Sequence, residues 1–421
     1  MEKIIMKDVV IVSACRTAIG TFGGALKDVH AVDIASVVMK EAIKRAGISP
    51  DLIDDVRFGN CFEPHTALNP TRIAALKSGI PNTAVAVTMN RVCISGMEAT
   101  ISGMAMIQAG LVDVVLAGGF EHMSGVAYVA PGARWGCRLQ NSTLDDALIE
   151  GLMCGSRIIP CPEDSPLAGA MPYEMYKGKP YIMGHTAEFI AQMYNISREE
   201  MDEVALRSHN NVERATNEGD FAQEIVPVEI AQKKGKPPKI FDKDEHFRPG
   251  ITMDALRQLP AAFIPKTGKV TAGNASGLND GASATVIMSL EKAKELGLKP
   301  LAKIKDVGYG GCDPSIMGMS PAPAVRSLMK RSKLKLEDFE LIELNEAFAA
   351  QYLGCEKELK LNRKITNVNG SGIGLGHPVG ATGNRVMVTL IHAMKKQGKS
   401  LGLATLCGGG GVSMATAIEM M

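Results

Sequence analysis

The order of secondary-structure patterns constrains the fold of this chain most strongly. Short β-branched runs alternate with longer amphipathic stretches, a pattern typical of parallel sheets with crossover helices. In the first part, the pattern predicts strands at 9–13, 56–59, 84–89 and 112–117, and helices at 33–46, 71–78 and 95–109. We therefore predict an α/β protein.

The same order returns in the C-terminal part, with helices at 324–331 and 383–396 and strands at 339–344 and 401–406. Three landmarks recur at offsets of 285, 284 and 290 residues: Asn60 and Asn345, Gly96 and Gly380, and Gly118 and Gly408. Nearly constant offsets favour an internal duplication. Two unrelated α/β halves remain the alternative, since few residues are identical between the halves.

Composition excludes several classes of partner and compartment. The formal net charge of +1 provides no bulk field for nucleic acid or an anionic membrane. The lysine-rich stretch at 233–239 meets phosphates or is a solvated loop. The 9 cysteines are an odd number without C-x₂-C spacing, and Cys154 and Cys161 form only a weak metal pattern. Without a signal-like or membrane-length apolar run or a C-terminal targeting tripeptide, we expect a reduced, cytoplasmic protein.

Cys93 lies in the run NRVCISG at 90–96, directly before a predicted helix. The positive end of a helix dipole favours thiolate, the nucleophilic form of cysteine. A buried structural cysteine is the usual alternative for any one residue. The polar, turn-like surroundings of Cys93 favour the nucleophile.

His377 lies in the run GHPVG at 376–380, within a glycine-dense loop that ends at Gly383. Such a loop holds an imidazole stiffly and close to a ligand, as a general base for a thiol requires. The loop is not a dinucleotide fingerprint, because Leu375 stands where the third glycine should be.

Two further strand ends carry candidate residues. Cys407 follows a predicted strand and precedes four glycines, whose N–H groups suit an oxyanion while the thiol moves a proton at carbon. A core cysteine is the competing interpretation. Asn345 also ends a strand, where its amide can orient a water. Helix capping by the adjacent Glu346 is the alternative there.

Together these runs resemble the thiolase family, over essentially the whole chain. Further matches are VIVSA at 10–14, GGFEHMS at 118–124, TAGNASG at 271–277 and NEAFAA at 345–350. The resemblance implies the thiolase fold: two similar five-layered α/β/α/β/α halves with an inserted loop domain. The N-terminal half is then 1–122 with 279–302, the loop domain 123–278 and the C-terminal half 303–421.

The resemblance also implies a role for each site residue. Cys93 takes up the acyl group, His377 activates that thiol, and Cys407 exchanges the α-proton of a second thioester. The reaction is a ping-pong Claisen condensation or its reverse, thiolysis. One oxyanion hole consists of His377 and a water held by Asn345, and the other of the backbone N–H groups of Cys93 and Gly409.

Ligands and assembly follow from the same resemblance. Ser276 matches a residue that contacts the pantetheine arm of coenzyme A. Phe348 and Met183 match residues of the pocket wall, and Ala272 is also expected to bind substrate. Coenzyme A is a substrate, so that no cofactor and no metal are expected. Family members assemble as dimers or tetramers.

Departures from the family pattern bear on the acyl group. Ile94 and Gly408 replace a glycine and an isoleucine, GSGIG at 370–374 replaces GGAIA, and Ile182 stands where acetoacetyl-type thiolases place a histidine. His185 follows three residues later, and the region 151–181 looks longer than usual. Because three changes remove bulk, we predict a pocket for a branched, dicarboxylic or aromatic 3-oxoacyl group. Benzoylsuccinyl-CoA is one candidate, whose thiolases work with a small zinc-containing partner subunit.

Other functions remain as alternatives. They are an acetoacetyl-CoA thiolase (acetyl-CoA C-acetyltransferase), a ketosynthase-like condensing enzyme on the same fold, and a degenerate acyl-CoA-binding scaffold. Cys407 together with Asn345 favours a thiolase over a ketosynthase. Four filled catalytic positions argue against the scaffold.

Overall fold

The computed structural model of the chain describes residues 7–233 and 235–421. The first six residues of the predicted N-terminal half, and Lys234 of the lysine-rich stretch, lie outside the described residues.

The strands and helices of the described residues are as follows. The strands are β1 Val9–Thr17, β2 Gly20–Thr21, β3 Asp55–Gly59, β4 Val85–Met89, β5 Val114–His122, β6 Tyr128–Val129, β7 Asp145–Asp146, β8 Ile225–Val226, β9 Val228–Ile230, β10 Lys239–Phe241, β11 Asn279–Ser289, β12 Ala302–Gly311, β13 Leu341–Leu344, β14 Leu401–Gly408 and β15 Val412–Met420. The helices are α1 Ala31–Ala46, α2 Pro70–Lys77, α3 Ser95–Gln108, α4 Ala147–Leu152, α5 Met183–Met193, α6 Arg198–Asn217, α7 Met253–Arg257, α8 Leu290–Glu295, α9 Pro321–Ser332, α10 Ala349–Leu359, α11 Gly372–Leu375 and α12 Val379–Gln397.

Strand order repeats between the two parts of the chain. The main sheet runs β13-β14-β15-β12-β1-β11-β5-β3-β4, with β2 beside β11 and β8 beside β1. Outward from β1, the pairings with β11 and β5 are antiparallel and those with β3 and β4 are parallel. Outward from β12, β15 and β14 are likewise antiparallel and β13 parallel. This repetition supports the predicted duplicated α/β fold.

The hydrophobic clusters define the layers. Helices α1, α2 and α8 cover one face of the N-terminal strands, and α5, α9 and α10 cover one face of the C-terminal strands. A third cluster places α3 and α12 between the two sets of strands. Alternate residues of β1 serve different clusters, since Val10 packs with α1 and Ile11 with the middle layer. The five layers therefore extend across both halves, which share the middle one.

Glycines allow the backbones of α3 and α12 to come into direct contact. A Cβ at Gly96 would lie 2.8 Å from the amide nitrogen of Asn384 and 2.9 Å from the Gly380 carbonyl oxygen. A Cβ at Gly119, on β5, would overlap that same Gly380 oxygen. Close packing at these points brings the N-terminal ends of the two helices together.

We expect Gly119→Ala to destabilise the protein by about 1–3 kcal/mol, because backbone must move to admit the methyl group. Gly311→Ala is the matched strand control, since its Cβ would meet only the Gly411 oxygen at 3.6 Å. The midpoint of thermal unfolding, followed by circular dichroism, compares the two variants. Equal midpoints would contradict the close-packing argument.

Candidate active site

Cys93 is presented on a constrained turn at the start of α3. It directly precedes Ile94, the N-cap residue of that helix. Val92 has a φ of 51°, a left-handed conformation that β-branched residues rarely adopt. The turn is held because the Val92 N–H donates to Asn90 Oδ1 at 3.0 Å and Ser95 Oγ donates to the Val92 carbonyl at 2.5 Å. Local hydrogen bonds thus fix the backbone around the thiol.

Burial dominates the acidity of Cys93. Its removal from water raises the pKa of the thiol well above the ordinary range, and the nearby Cys407 and Cys154 thiols act in the same direction. Hydrogen bonds from the amides of Gly409 and of Cys93 itself act in the opposite direction. Desolvation therefore opposes the effect of the α3 dipole and favours the neutral thiol over the thiolate in the free protein.

The hydrogen bonds of His377 assign its tautomer. Nδ1 lies 2.8 Å from Thr382 Oγ1, and that hydroxyl donates to the Pro378 carbonyl at 2.8 Å. Because the hydroxyl has a single proton, it accepts from Nδ1–H, and Nε2 is left as the free acceptor. Burial and then the charge of Arg385 lower the pKa of His377 to about 3. The imidazole is therefore neutral and able to accept a proton at neutral pH.

Asn345 lies against the same ring, just beyond the end of β13. Its Nδ2 is 3.4 Å from His377 Nδ1, and its Oδ1 accepts from Arg385 Nη2 at 3.3 Å. Gly372 makes room for the amide, since a Cβ there would lie 2.7 Å from Asn345 Oδ1. The structure thus brings Asn345 and His377 together, as the sequence predicts.

A cavity of about 120 Å³ joins Cys93 and His377. Its wall consists of mostly apolar residues from several elements: Cys93, Met123, Leu152, Ile182, Met183, Gly184, Phe263, Ala275, Ser276, Gly277, Leu278, Met317, Ala347, Phe348, His377 and Val379. The wall includes Met183, Ser276 and Phe348, three of the residues predicted to bind substrate. The fourth, Ala272, is exposed and outside this wall, where its carbonyl accepts from Arg248 at 3.3 Å.

Cys407 and Gly409 reach the site from the β14–β15 hairpin. Cys407 is fully buried, in the same apolar cluster as Ala347 and Phe348 of the cavity wall. Its thiol contributes to the raised pKa of Cys93, although Cys407 lines neither the cavity beside His377 nor a wider one at Cys93. Gly409 lines this wider cavity, of about 390 Å³, together with Cys93, and its backbone amide acts to lower the pKa of the Cys93 thiol. Positive φ angles at Gly410 (79°) and Gly411 (83°) allow the hairpin to turn back at this point.

A second cavity, of about 390 Å³, lies at Cys93 as well. Its wall carries no charged side chain and consists of Cys61, Phe62, Asn90, Val92, Cys93, Gly151, Leu152, Cys154, Met183, Val379, Gly409 and Gly410. Cys93, Leu152, Met183 and Val379 belong to both cavities. The thiol thus stands between a narrow space beside His377 and a wider, uncharged one.

His185 does not take the place of the histidine that Ile182 replaces. Its Nδ1 accepts from the Ile182 N–H at 3.2 Å, and its Nε2 lies 3.3 Å from the Phe263 carbonyl. Both ring nitrogens are occupied in holding the start of α5. Ile182 itself lines the first cavity.

Several residues at the site were missed from sequence. Thr382 and Arg385 follow His377 on α12, and Asn279 accepts from the His377 N–H at 2.8 Å. The position of Thr382 could have been predicted from the sequence. It lies four residues after Pro378, and in a helix that begins there its hydroxyl reaches the Pro378 carbonyl. The helix predicted from the sequence begins only at 383, so that Thr382 lies outside it and its bond to Pro378 is not predicted.

Neither a metal-binding cluster nor a membrane-spanning helix occurs among the described residues. In 7–233 and 235–421, no three or more His, Cys, Asp or Glu side chains are grouped to hold a metal ion. Over the same residues, every helix is too short or too polar to cross a membrane.

We expect the imidazole of His377 to stay neutral from pH 5 to pH 8. A pKa lowered to about 3 places its protonation below this window. The ¹³Cε1 chemical shift of His377 in ¹³C-histidine-labelled protein, assigned by its loss in His377→Asn, measures this directly. An inflection near pH 6.5 would contradict the prediction.

Known proteins resemble this chain along its full length. The model for the N-terminal domain of thiolase matches residues 9–159 and 166–291, and that for the C-terminal domain matches 298–420. An acetyl-CoA acetyltransferase of Cupriavidus necator is 45% identical over 415 residues, which cover 98% of this chain and 100% of that protein.

Two solved structures have the same fold. An acetyl-CoA acetyltransferase of Bacillus anthracis superposes with a TM-score of 0.91 at 46% identity, covering 100% of both chains. Human mitochondrial 3-ketoacyl-CoA thiolase superposes with a TM-score of 0.89 at 37% identity, covering 99% of both. With both domain models matched in order, the chain belongs to the thiolase family of acyltransferases.

Proposed function

We propose that this thiolase transfers an acyl group between a 3-oxoacyl-CoA and coenzyme A through an acyl-Cys93 intermediate. One observation carries the proposal: Cys93 and His377 line the same cavity. The backbone amide of Gly409, which acts to lower the pKa of the Cys93 thiol, adds a donor beside them. A nucleophile, a neutral base and an oxyanion donor are the parts that acyl transfer requires.

The first half-reaction makes the acyl-enzyme. His377 Nε2 takes the Cys93 proton, and the thiolate attacks the 3-oxo carbon of the substrate. The N–H groups of Cys93 and Gly409 stabilise the resulting oxyanion. The C2–C3 bond then breaks, and its electron pair leaves on the enolate of acetyl-CoA. His377, now protonated, and a water held by Asn345 stabilise the enolate oxygen.

The second half-reaction returns the thiol. Cys407 donates its proton to C2 of the enolate, and acetyl-CoA departs. Coenzyme A then gives its thiol proton to the Cys407 thiolate and attacks acyl-Cys93, releasing an acyl-CoA two carbons shorter than the substrate. Protonated His377 returns its proton to the departing Cys93 sulfur, which restores the starting state. The raised pKa of buried Cys407 suits its step, since its thiol must hold a proton at neutral pH. The raised pKa of Cys93 means that its sulfur departs most easily when it is protonated by the imidazolium of His377.

The acyl group we propose is uncharged and longer than acetyl. The cavity of about 390 Å³ beside Cys93 is wider than a two-carbon group needs, and its wall is free of charge. Thiolysis of benzoylsuccinyl-CoA would place its benzoyl group on Cys93 and its carboxylate on the departing succinyl-CoA. Among the described residues, the wall of the cavity beside His377 includes no lysine or arginine, so that burial of this carboxylate there is costly. The wall therefore disfavours that candidate among the bulky groups, and with it the argument for a zinc-containing partner subunit.

Acetoacetyl-CoA is the second candidate. The relatives from Cupriavidus necator and Bacillus anthracis, named acetyl-CoA acetyltransferases, support it. The human relative, named a 3-ketoacyl-CoA thiolase, supports the longer substrate equally. Cys407, together with the run NEAF at 345–348, favours either thiolase over a decarboxylating ketosynthase.

Replacing Cys407 by Ala tests the division of labour between the thiols. We expect exchange of the α-protons of acetyl-CoA with ²H₂O to fall by about 10³-fold, because the acid–base group is gone. Acylation of Cys93, seen by intact-mass spectrometry, should survive. Cys355→Ala is the matched control, a buried thiol in the same cluster. Equal loss of acylation and exchange in Cys407→Ala would refute these roles.

A chain-length series tests the acyl pocket. We expect kcat/KM for thiolysis of straight-chain 3-oxoacyl-CoAs of six to eight carbons to exceed that for acetoacetyl-CoA. Leu152→Trp, which narrows both cavities, should lower kcat/KM for the long substrates about 10-fold more than for acetoacetyl-CoA. A clear preference of the unmodified enzyme for acetoacetyl-CoA would favour the second candidate instead.

A further inference from the structure

Arg385 is a fully buried cation whose contacts converge beside Asn345. It lies on α12, two turns after His377, with 1% of its surface exposed. Nη2 donates to Asn345 Oδ1 at 3.3 Å and to Ser371 Oγ at 3.4 Å, and Nη1 lies 3.5 Å from Glu343 Oε2. Within the described part of the chain, its Nε has no partner. A single carboxylate at 3.5 Å stabilises a buried guanidinium poorly.

The contact with Asn345 is directional. An arginine only donates hydrogen bonds, so that the oxygen of the Asn345 amide must face it. The NH₂ group of the amide then faces His377, with Nδ2 at 3.4 Å from Nδ1 of the ring. Ordinary asparagine amides are nearly symmetrical in shape, and without a donor such as Arg385 the reversed orientation differs little in packing.

We propose that Arg385 is a positioning residue that locks the amide of Asn345 with its NH₂ group toward the enolate oxyanion hole. The inference rests on the proposed thiolase function. A water that accepts from Asn345 Nδ2 keeps both of its hydrogens for donation, one of them to the thioester oxygen. A reversed amide would take one hydrogen from the same water and weaken the hole.

The charge of Arg385 also affects His377, the second member of the proposed enolate oxyanion hole. It follows burial as a cause of the lowered pKa of His377, and therefore helps to keep that base neutral. Burial raises the pKa of Glu343 to about 8, against the opposing influence of Arg385. Glu343 is then largely protonated at neutral pH. The guanidinium also lies closer to Asn345 Oδ1, at 3.3 Å, than to Glu343 Oε2, at 3.5 Å.

Arg385→Lys separates orientation from charge. Lysine keeps a cation beside Glu343 but lacks the fork that reaches both Glu343 and Asn345. We expect exchange of the α-protons of acetyl-CoA, which needs the enolate hole, to fall by about 10²-fold, the effect of one oxyanion donor. Exchange of labelled coenzyme A with acetyl-CoA, which needs only the hole formed by Cys93 and Gly409, should change by less than about threefold.

A double-mutant cycle with Asn345→Ala completes the test. If Arg385 acts through Asn345, Arg385→Lys has no further effect on α-proton exchange once the amide is gone. Glu343→Gln is the matched control, because it removes the carboxyl group beside Arg385 and leaves the arginine fork, and it should leave the ratio of the two exchange rates unchanged. Arg385→Met, without any donor, serves as the second variant should the lysine protein not fold.

Three outcomes would overturn the proposal: equal loss of both exchange reactions in Arg385→Lys, additive effects in the cycle, or a changed ratio in Glu343→Gln. Failure of the thiolase function itself is distinguishable, because the unmodified protein would then catalyse neither exchange.

Discussion

The backbone contact between α3 and α12 determines the rest of the site. Cys93 precedes one helix and His377 precedes the other, so that the distance between nucleophile and base depends on how closely the two N-terminal ends approach. Gly96 and Gly380 permit that approach, since any side chain on Gly96 would meet the Gly380 carbonyl at 2.9 Å. Glu121 of β5 adds a fixed connection by accepting from the Gly380 N–H at 2.8 Å and from the Cys61 N–H at 3.0 Å.

Burial follows from this packing and sets the electrostatics. The middle layer lies between two sets of strands, and residues in it lose their contact with water. In that environment, the neutral forms are favoured: thiols at Cys93 and Cys407, and an imidazole at His377. The site is thus prepared in an uncharged state. In the proposed reaction, charge develops on bound substrate beside the backbone N–H groups of Cys93 and Gly409, which need little reorganisation to stabilise it.

Much of this arrangement could be predicted from the sequence because the strongest signals are local. The helix predicted at 95–109 is observed at Ser95–Gln108, and the strand predicted at 401–406 at Leu401–Gly408. The glycine-bounded runs located Cys93, His377 and Cys407. What the sequence could not supply depends on desolvation and on contacts between distant segments. The acidity of Cys93, the exposure of Ala272 and the carbonyl partner of His185 are set by residues far away in the chain.

The duplication gives the catalytic pair a simple geometric origin. Cys93 and His377 are separated by 284 positions, the same offset that relates Gly96 to Gly380. Thr100 and Asn384 share this offset, and their side chains contact each other at 3.0 Å between α3 and α12. Equivalent positions of two similar halves therefore meet at one pseudosymmetric contact. A symmetric pair of loops needs only one change of residue type, thiol on one side and imidazole on the other, to place a nucleophile beside its base.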